Sequence, residues 1–218
     1  SNKAKELPLF ASSIVIKQGQ INYLDEKTEF QIQKIDLDIK DLSLENKVPV
    51  NLEAAILSSE PNIKIKGVFG PVTSELDLLK MPLKGSLNII DLNINTLKKF
   101  VPIIKKHIPP GLDISGPLNA KLEFSGALDS LTLSDIKMNA AVFGATVPNF
   151  ELSGTIGPIA ENKENFSLDT EFKLDSANLS KLRNFSLIKD SLTNSLSTQG
   201  TLDISGKVSG TPKDLKFD

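Results

Sequence analysis

From Ser13 onward, apolar side chains occupy every second position over most of the chain, the period of a β-strand with one dry face and one wet face. A chain patterned this way has to cover one side of a sheet along nearly its whole length. Ile14, Ile16, Ile21 and Tyr23 form the first run, with Gly19 read as a turn or bulge between its halves and Asp25-Glu26-Lys27 closing it. Phe30 and Ile32 follow. Parity then slips by one before Ile35, Leu37 and Ile39, which leaves Asp36, Asp38 and Lys40 on the opposite face. The alternation continues through Val50, Leu52 and Ala54, then Ile63 and Ile65, Leu87 and Ile89, Leu122 and Phe124, Met138 and Ala140, Phe172 and Leu174, and Leu202 and Ile204. Turn residues such as Ser58-Ser59-Glu60-Pro61-Asn62 separate the runs. Most connections are too short to hold crossover helices, so the predicted topology is an antiparallel meander.

One stretch departs from period two. Behind Asn93 as a predicted N-cap, Ile94, Leu97, Val101, Ile104 and Ile108 step by three or four residues and share one helix face. Pro102 inside this stretch predicts a kink or two short helices, and Pro109-Pro110-Gly111 ends it. The neighbouring Lys98, Lys99, Lys105 and Lys106 fit either a helix capping the end of the sheet or one lying on an anionic membrane.

The segment from Leu87 to Phe100 aligns with that from Phe172 to Phe185 at an offset of 85, placing Asn93 on Asn178 and Leu97 on Leu182. Downstream, Gly116-Pro117-Leu118 and Ser125-Gly126 align with Gly200-Thr201-Leu202 and Ser209-Gly210 at an offset of 84. Each unit reads as strand, Asn-capped short helix, Gly-x-Leu strand, glycine turn and a further strand. Units of this kind stack into an object whose length is set by copy number. No catalytic constellation is duplicated with the strands, which favours a scaffold or conduit over an enzyme.

Composition narrows the function further. With 25 basic and 27 acidic residues the net charge is −2, and every basic residue but Arg183 is lysine. No field of one sign exists to hold a nucleic acid by its phosphates, and no set of arginines to read bases, so no nucleic-acid partner is expected. The chain has no cysteine and one histidine, His107, so no metal site, cofactor or catalytic residue is predicted. Asp36, Asp38 and Asp41 could offer oxygen ligands to a hard cation, but two of them are one strand period apart without a glycine-bearing loop, and a solvated strand face explains them. No run approaches the roughly 20 apolar residues that span a bilayer as a helix.

The opening Ile14-Val15-Ile16-Lys17-Gln18-Gly19-Gln20-Ile21-Asn22-Tyr23-Leu24-Asp25, the following Phe30-x-Ile32-x-x-Ile35-x-Leu37-x-Ile39-x-x-Leu42, and the Gly116–Gly126 and Gly200–Gly210 segments together resemble the AsmA-like family of Gram-negative envelope proteins. The resemblance implies a periplasmic, groove-shaped antiparallel sheet on an inner-membrane-anchored protein, related to bridge-like lipid-transfer proteins and linked to outer-membrane assembly and phospholipid movement. The family's N-terminal transmembrane helix is missing, as expected of an excised piece, and Ser1-Asn2 reads as a tag remnant.

The expected fold is therefore mainly β with minor α: a long curved antiparallel sheet, groove-like or half-barrel, with one or two short amphipathic helices. Its expected divisions are a tag remnant and lead-in (1–12), an N-terminal meander (13–82), a first repeat unit (83–133), connecting strands (134–165) and a second repeat unit (166–218). So few helices give thin cover for so many strands. Part of the apolar face then either stays open to acyl chains or closes into an ordinary core. Parity nominates Leu37, Ile39, Leu52, Ile63, Ile65, Ile89, Leu122, Phe124, Phe172, Leu174 and Ile204 as groove residues. The first reading expects a non-enzymatic module that binds or conducts phospholipid or another acyl-chain lipid, held at the membrane by its missing anchor and working beside envelope proteins. The alternative is a structural or adhesive β-repeat with a closed core that binds protein partners.

Overall fold

In the computed structural model of the protein, which describes residues 12–25, 28–43, 45–71, 77–100, 111–160, 166–182, 184, 199–211 and 213–218, 71% of the described residues are in strands. The strands are β1 (Ser13–Asp25), β2 (Thr28–Lys40), β3 (Val48–Ile56), β4 (Ile63–Phe69), β5 (Pro82–Asn93), β6 (Ile114–Ala127), β7 (Ser130–Val142), β8 (Phe150–Ala160), β9 (Ser167–Asn178), β10 (Thr201–Thr211) and β11 (Asp214–Phe217). They form one 11-stranded antiparallel meander in sequence order, not closed into a barrel.

The parity slips in the sequence are β-bulges. Ile16 pairs with Leu37 and Ile21 with Ile32, while between them Gln18 on β1 and Lys34 on β2 take positive φ. Asp91, Asp135 and Ser176 do the same on β5, β7 and β9. Each inserted residue keeps the apolar side chains on one face across a kink that would otherwise reverse them.

A bulge leaves a backbone N–H without its ladder partner, and here a neighbouring side chain takes it. The Gln18 N–H donates to Asp36 Oδ1 at 2.8 Å, the Asp91 N–H to Asn119 Oδ1 at 2.8 Å and the Ser176 N–H to Asp203 Oδ1 at 2.5 Å. These latches join β1 to β2, β5 to β6 and β9 to β10, a spacing of four strands. The turns after β3 and β7 repeat in the same way. Asn62 Oδ1 accepts from Ile56 N–H at 2.8 Å, and Asn149 Oδ1 accepts from Val142 N–H at 2.8 Å. The Asn62 carbonyl then accepts from Ile90 N–H on β5 at 2.9 Å, as the Asn149 carbonyl accepts from Asp175 N–H on β9 at 2.8 Å. The repeating unit is thus four strands long, with β1–β4 as one copy, β5–β8 as the next and β9–β11 beginning a third. β7 and β8, expected as connecting strands, stand in their unit as β3 and β4 do in theirs.

Asn149 also donates through Nδ2 to the Asp175 carbonyl at 3.0 Å. Truncating it strands the Val142 N–H, on a residue only 3% exposed, and removes a donor from β9. An unsatisfied buried donor costs about 1–3 kcal/mol. Asn149→Ala is therefore expected to lower stability by about 2–3 kcal/mol in urea denaturation, with Asn149→Asp, which keeps the acceptor and loses the donor, falling between it and the parent.

Two short helices, α1 (Ile94–Phe100) and α2 (Leu179–Leu182), follow β5 and β9 at the same end of the sheet. Both are capped by asparagine: Thr96 N–H donates to Asn93 Oδ1 at 2.8 Å, and Ser180 N–H to Asn178 Oδ1 at 2.9 Å. Ile94 and Leu97 of α1 are buried with Leu92, against Phe30, Ile56, Ile89 and Leu118. Leu182 of α2 is buried with Ala140, Val142, Phe143, Leu174 and Ala177. Val101, Ile104 and Ile108 of the predicted helix, with Pro102 and His107, lie outside the described residues.

Candidate apolar binding face

Cross-strand pairing assembles the period-two positions into one surface. One row runs Leu37–Leu52–Ile65–Leu87–Leu122 from β2 to β6, and its neighbour runs Ala54–Ile63–Ile89–Ala120–Met138–Leu152–Phe172 from β3 to β9. Ile39 pairs with Val50, Phe124 with Gly85 and Leu133, and Leu174 with Phe150 and Ile204. The register thus places every groove candidate from Leu37 to Ile204 on this one face. At about 4.8 Å per strand, ten spacings carry the face roughly 48 Å across the sheet.

Its cover is uneven. Leu174 is 7% exposed beneath α2, whereas Leu37, Ile39, Leu52, Ile63, Ile65, Leu122, Phe124, Phe172 and Ile204 are half-buried and pack against neither helix cluster. Ile89 is half-buried beside the cluster under α1. The accessible surface of the chain is 14474 Å². A compact monomer of its 23.7 kDa exposes about 9,800 Å². A single layer of strands with short helices over one end exposes more surface than a compact globule.

Where the face lacks side chains, aromatic rings fill it. Gly67 and Gly85 face each other on β4 and β5, and the Phe124 ring lies across both. The Phe172 ring lies against Gly206 on β10 in the same manner, so rings lie flat where a Cβ would otherwise stand.

The opposite face is polar. Lys64 pairs with Glu53 at 3.1 Å and Lys207 with Asp169 at 3.2 Å. Hydrogen bonding to Asp175 raises the ammonium of Lys173 above its ordinary range, and bonding to Asp169 does the same for Lys207. Asp36, singled out in the sequence as a possible cation ligand, is the latch on the β1 bulge. Among the described residues no group of three or more ligand side chains could hold a metal ion.

A cavity of about 960 Å³ also lies on this polar side. Its walls are two cross-strand rows, one through Lys121, Lys137 and Glu171, the other through Asn139, Glu151 and Lys173. Its floor is the apolar row between them, whose side chains point the other way. Ile89 and Phe172 are the groove candidates that touch it, through that floor. The furrow carries both signs of charge and lies across the sheet from the apolar surface. Among the described residues, no helix is long and apolar enough to cross a membrane. No family model, curated protein or solved structure matches the chain.

Proposed function

We propose that the protein is a non-enzymatic lipid-binding module that holds or conducts phospholipid acyl chains on its apolar face. The observation that carries this reading is the continuous apolar face, left half-exposed between the helix-covered end and the far edge. Each methylene moved from water onto such a surface contributes about 0.8 kcal/mol, so acyl chains bind without a specific polar pocket. A surface built from alternating apolar residues, mainly Leu, Ile and Phe, suits cargo that varies in headgroup and slides along the rows. Following the AsmA-like resemblance, the module works in the periplasm as part of an inner-membrane-anchored protein serving outer-membrane assembly or lipid homeostasis.

Native mass spectrometry of the purified chain, with extraction and identification of co-purifying lipid, tests this directly. Retained phospholipid is the expected result. A folded, lipid-free protein that also takes up no added fluorescent phospholipid would overturn the reading in favour of a β-repeat that binds protein partners.

A further inference from the structure

Among the described residues β1 is an edge strand, 13 residues long, with a single charge, Lys17, between its ends and no proline. Natural sheets blunt such edges with charges, prolines or short strands, because an open row of backbone groups templates pairing with another chain. The opposite edge, β11, is 4 residues long. Along β1 the apolar face is also open: Ile16 is 41% exposed, Ile21 56% and Tyr23 52%.

The strand is complementary to itself. Turned about a two-fold axis between Gln18 and Gly19, Ile16 meets Ile21 of a second copy and Ile14 meets Tyr23, all four on the apolar face. Lys17 then meets Gln20 and Asp25 meets Ser12, so no like charges oppose each other. The two bulges fall opposite one another, an arrangement the fold already uses where Gln18 of β1 lies near Lys34 of β2 and the register is the same on either side. An axis normal to the sheet makes the pairing antiparallel and keeps both apolar faces on one side. Head-to-tail pairing of β11 with β1 has neither property together, because the two strands run in the same direction: antiparallel contact there would turn one apolar face over.

We infer that β1 is a homodimer interface, and that its occupant is β1 of a second copy in the register that pairs Ile16 with Ile21. The interface joins the two sheets into one of twice the width. This inference does not rest on lipid binding.

The chain has no cysteine, so introduced thiols report alone. Facing Cβ atoms in antiparallel pairs lie about 4.5–5.5 Å apart. In the proposed register two copies of residue 16 lie roughly 16 Å apart along the strand. A mixture of Ile16→Cys and Ile21→Cys chains is expected to cross-link under mild oxidation, and neither chain alone. Analytical ultracentrifugation of the parent should show a dimer. Ile16→Lys combined with Ile21→Lys, which gathers four ammonium groups across the axis, should be a folded monomer by circular dichroism. A parent that stays monomeric at about 100 μM, a dimer that survives the double lysine change, or cross-linking of Ile16→Cys alone as efficient as that of the mixture would each overturn the assignment.

Discussion

Gly85→Ala is expected to destabilise the protein by about 2–3 kcal/mol, read as a lowered urea midpoint. The position carries a close approach of two strands on the apolar face. A Cβ built on Gly85 meets the Lys66 carbonyl oxygen, the Cα of Gly67 at 2.7 Å and Cζ of Phe124 at 2.7 Å. Two of these obstacles are backbone atoms of β4 and cannot rotate away. Alanine restricts the unfolded chain and on that ground alone would stabilise by about 0.4–1 kcal/mol. The overpacking cost of about 1–3 kcal/mol, at its upper end here because the ladder itself must shift, exceeds that gain. Gly67→Ala serves as the control: its nearest obstacle is the Lys84 carbonyl at 3.0 Å and the ring is 3.5 Å away, so a smaller loss is expected. Adding Phe124→Leu to Gly85→Ala should recover only the part due to the ring. Equal losses at both glycines would show that the close approach at Gly85 is not what sets its identity.

How far the sequence discloses this structure depends on what each residue's signal contains. Parity carries face and register, because a strand alternates its side chains strictly. The slip between Ile32 and Ile35 could therefore be located, and it is the bulge at Lys34. The asparagine caps of both helices were legible for a similar reason, since a cap needs a short polar side chain directly before an apolar-periodic run. The latches were not. Asp36, Asn119 and Asp203 look like ordinary wet-face residues, and their role exists only once a bulge on the neighbouring strand presents an N–H. Their spacing of about 84 positions matches the offset of the repeat, and that coincidence is the signal from which the four-strand unit could have been drawn. Cover on the apolar face was invisible for a different reason. Leu122 and Leu174 have the same parity and nearly the same neighbours in sequence, and only the return of α2 over β9 makes one a core residue and leaves the other half open. The polar-side furrow depends on long side chains flanking a row that points away, which alternation implies everywhere and localises nowhere.

That difference between Leu122 and Leu174 yields the sharpest functional expectation: Leu122→Glu abolishes lipid retention in a folded protein, and Leu174→Glu prevents folding. At Leu174 the new carboxylate would sit among Phe143, Ala177 and Leu182 with nothing to neutralise it. An unpaired buried charge costs several kcal/mol even after its pKa shifts, a large share of the roughly 5–15 kcal/mol that holds a domain together. At Leu122 the side chain is half-buried, pairs with Leu87 and lies outside both helix clusters, so a carboxylate there can stay hydrated. The folded state then loses mainly one leucine's contacts, about 1–2 kcal/mol. For an acyl chain on the same surface the change is far larger, because the hydrated carboxylate interrupts a row that runs from Leu37 to Leu122 without a polar side chain. Circular dichroism and native mass spectrometry on the two variants separate the effects. If Leu122→Glu keeps the parent's lipid stoichiometry, acyl chains do not lie on this face. If it unfolds as Leu174→Glu does, the face around Leu122 is a closed core, and the protein acts through its edges and loops instead.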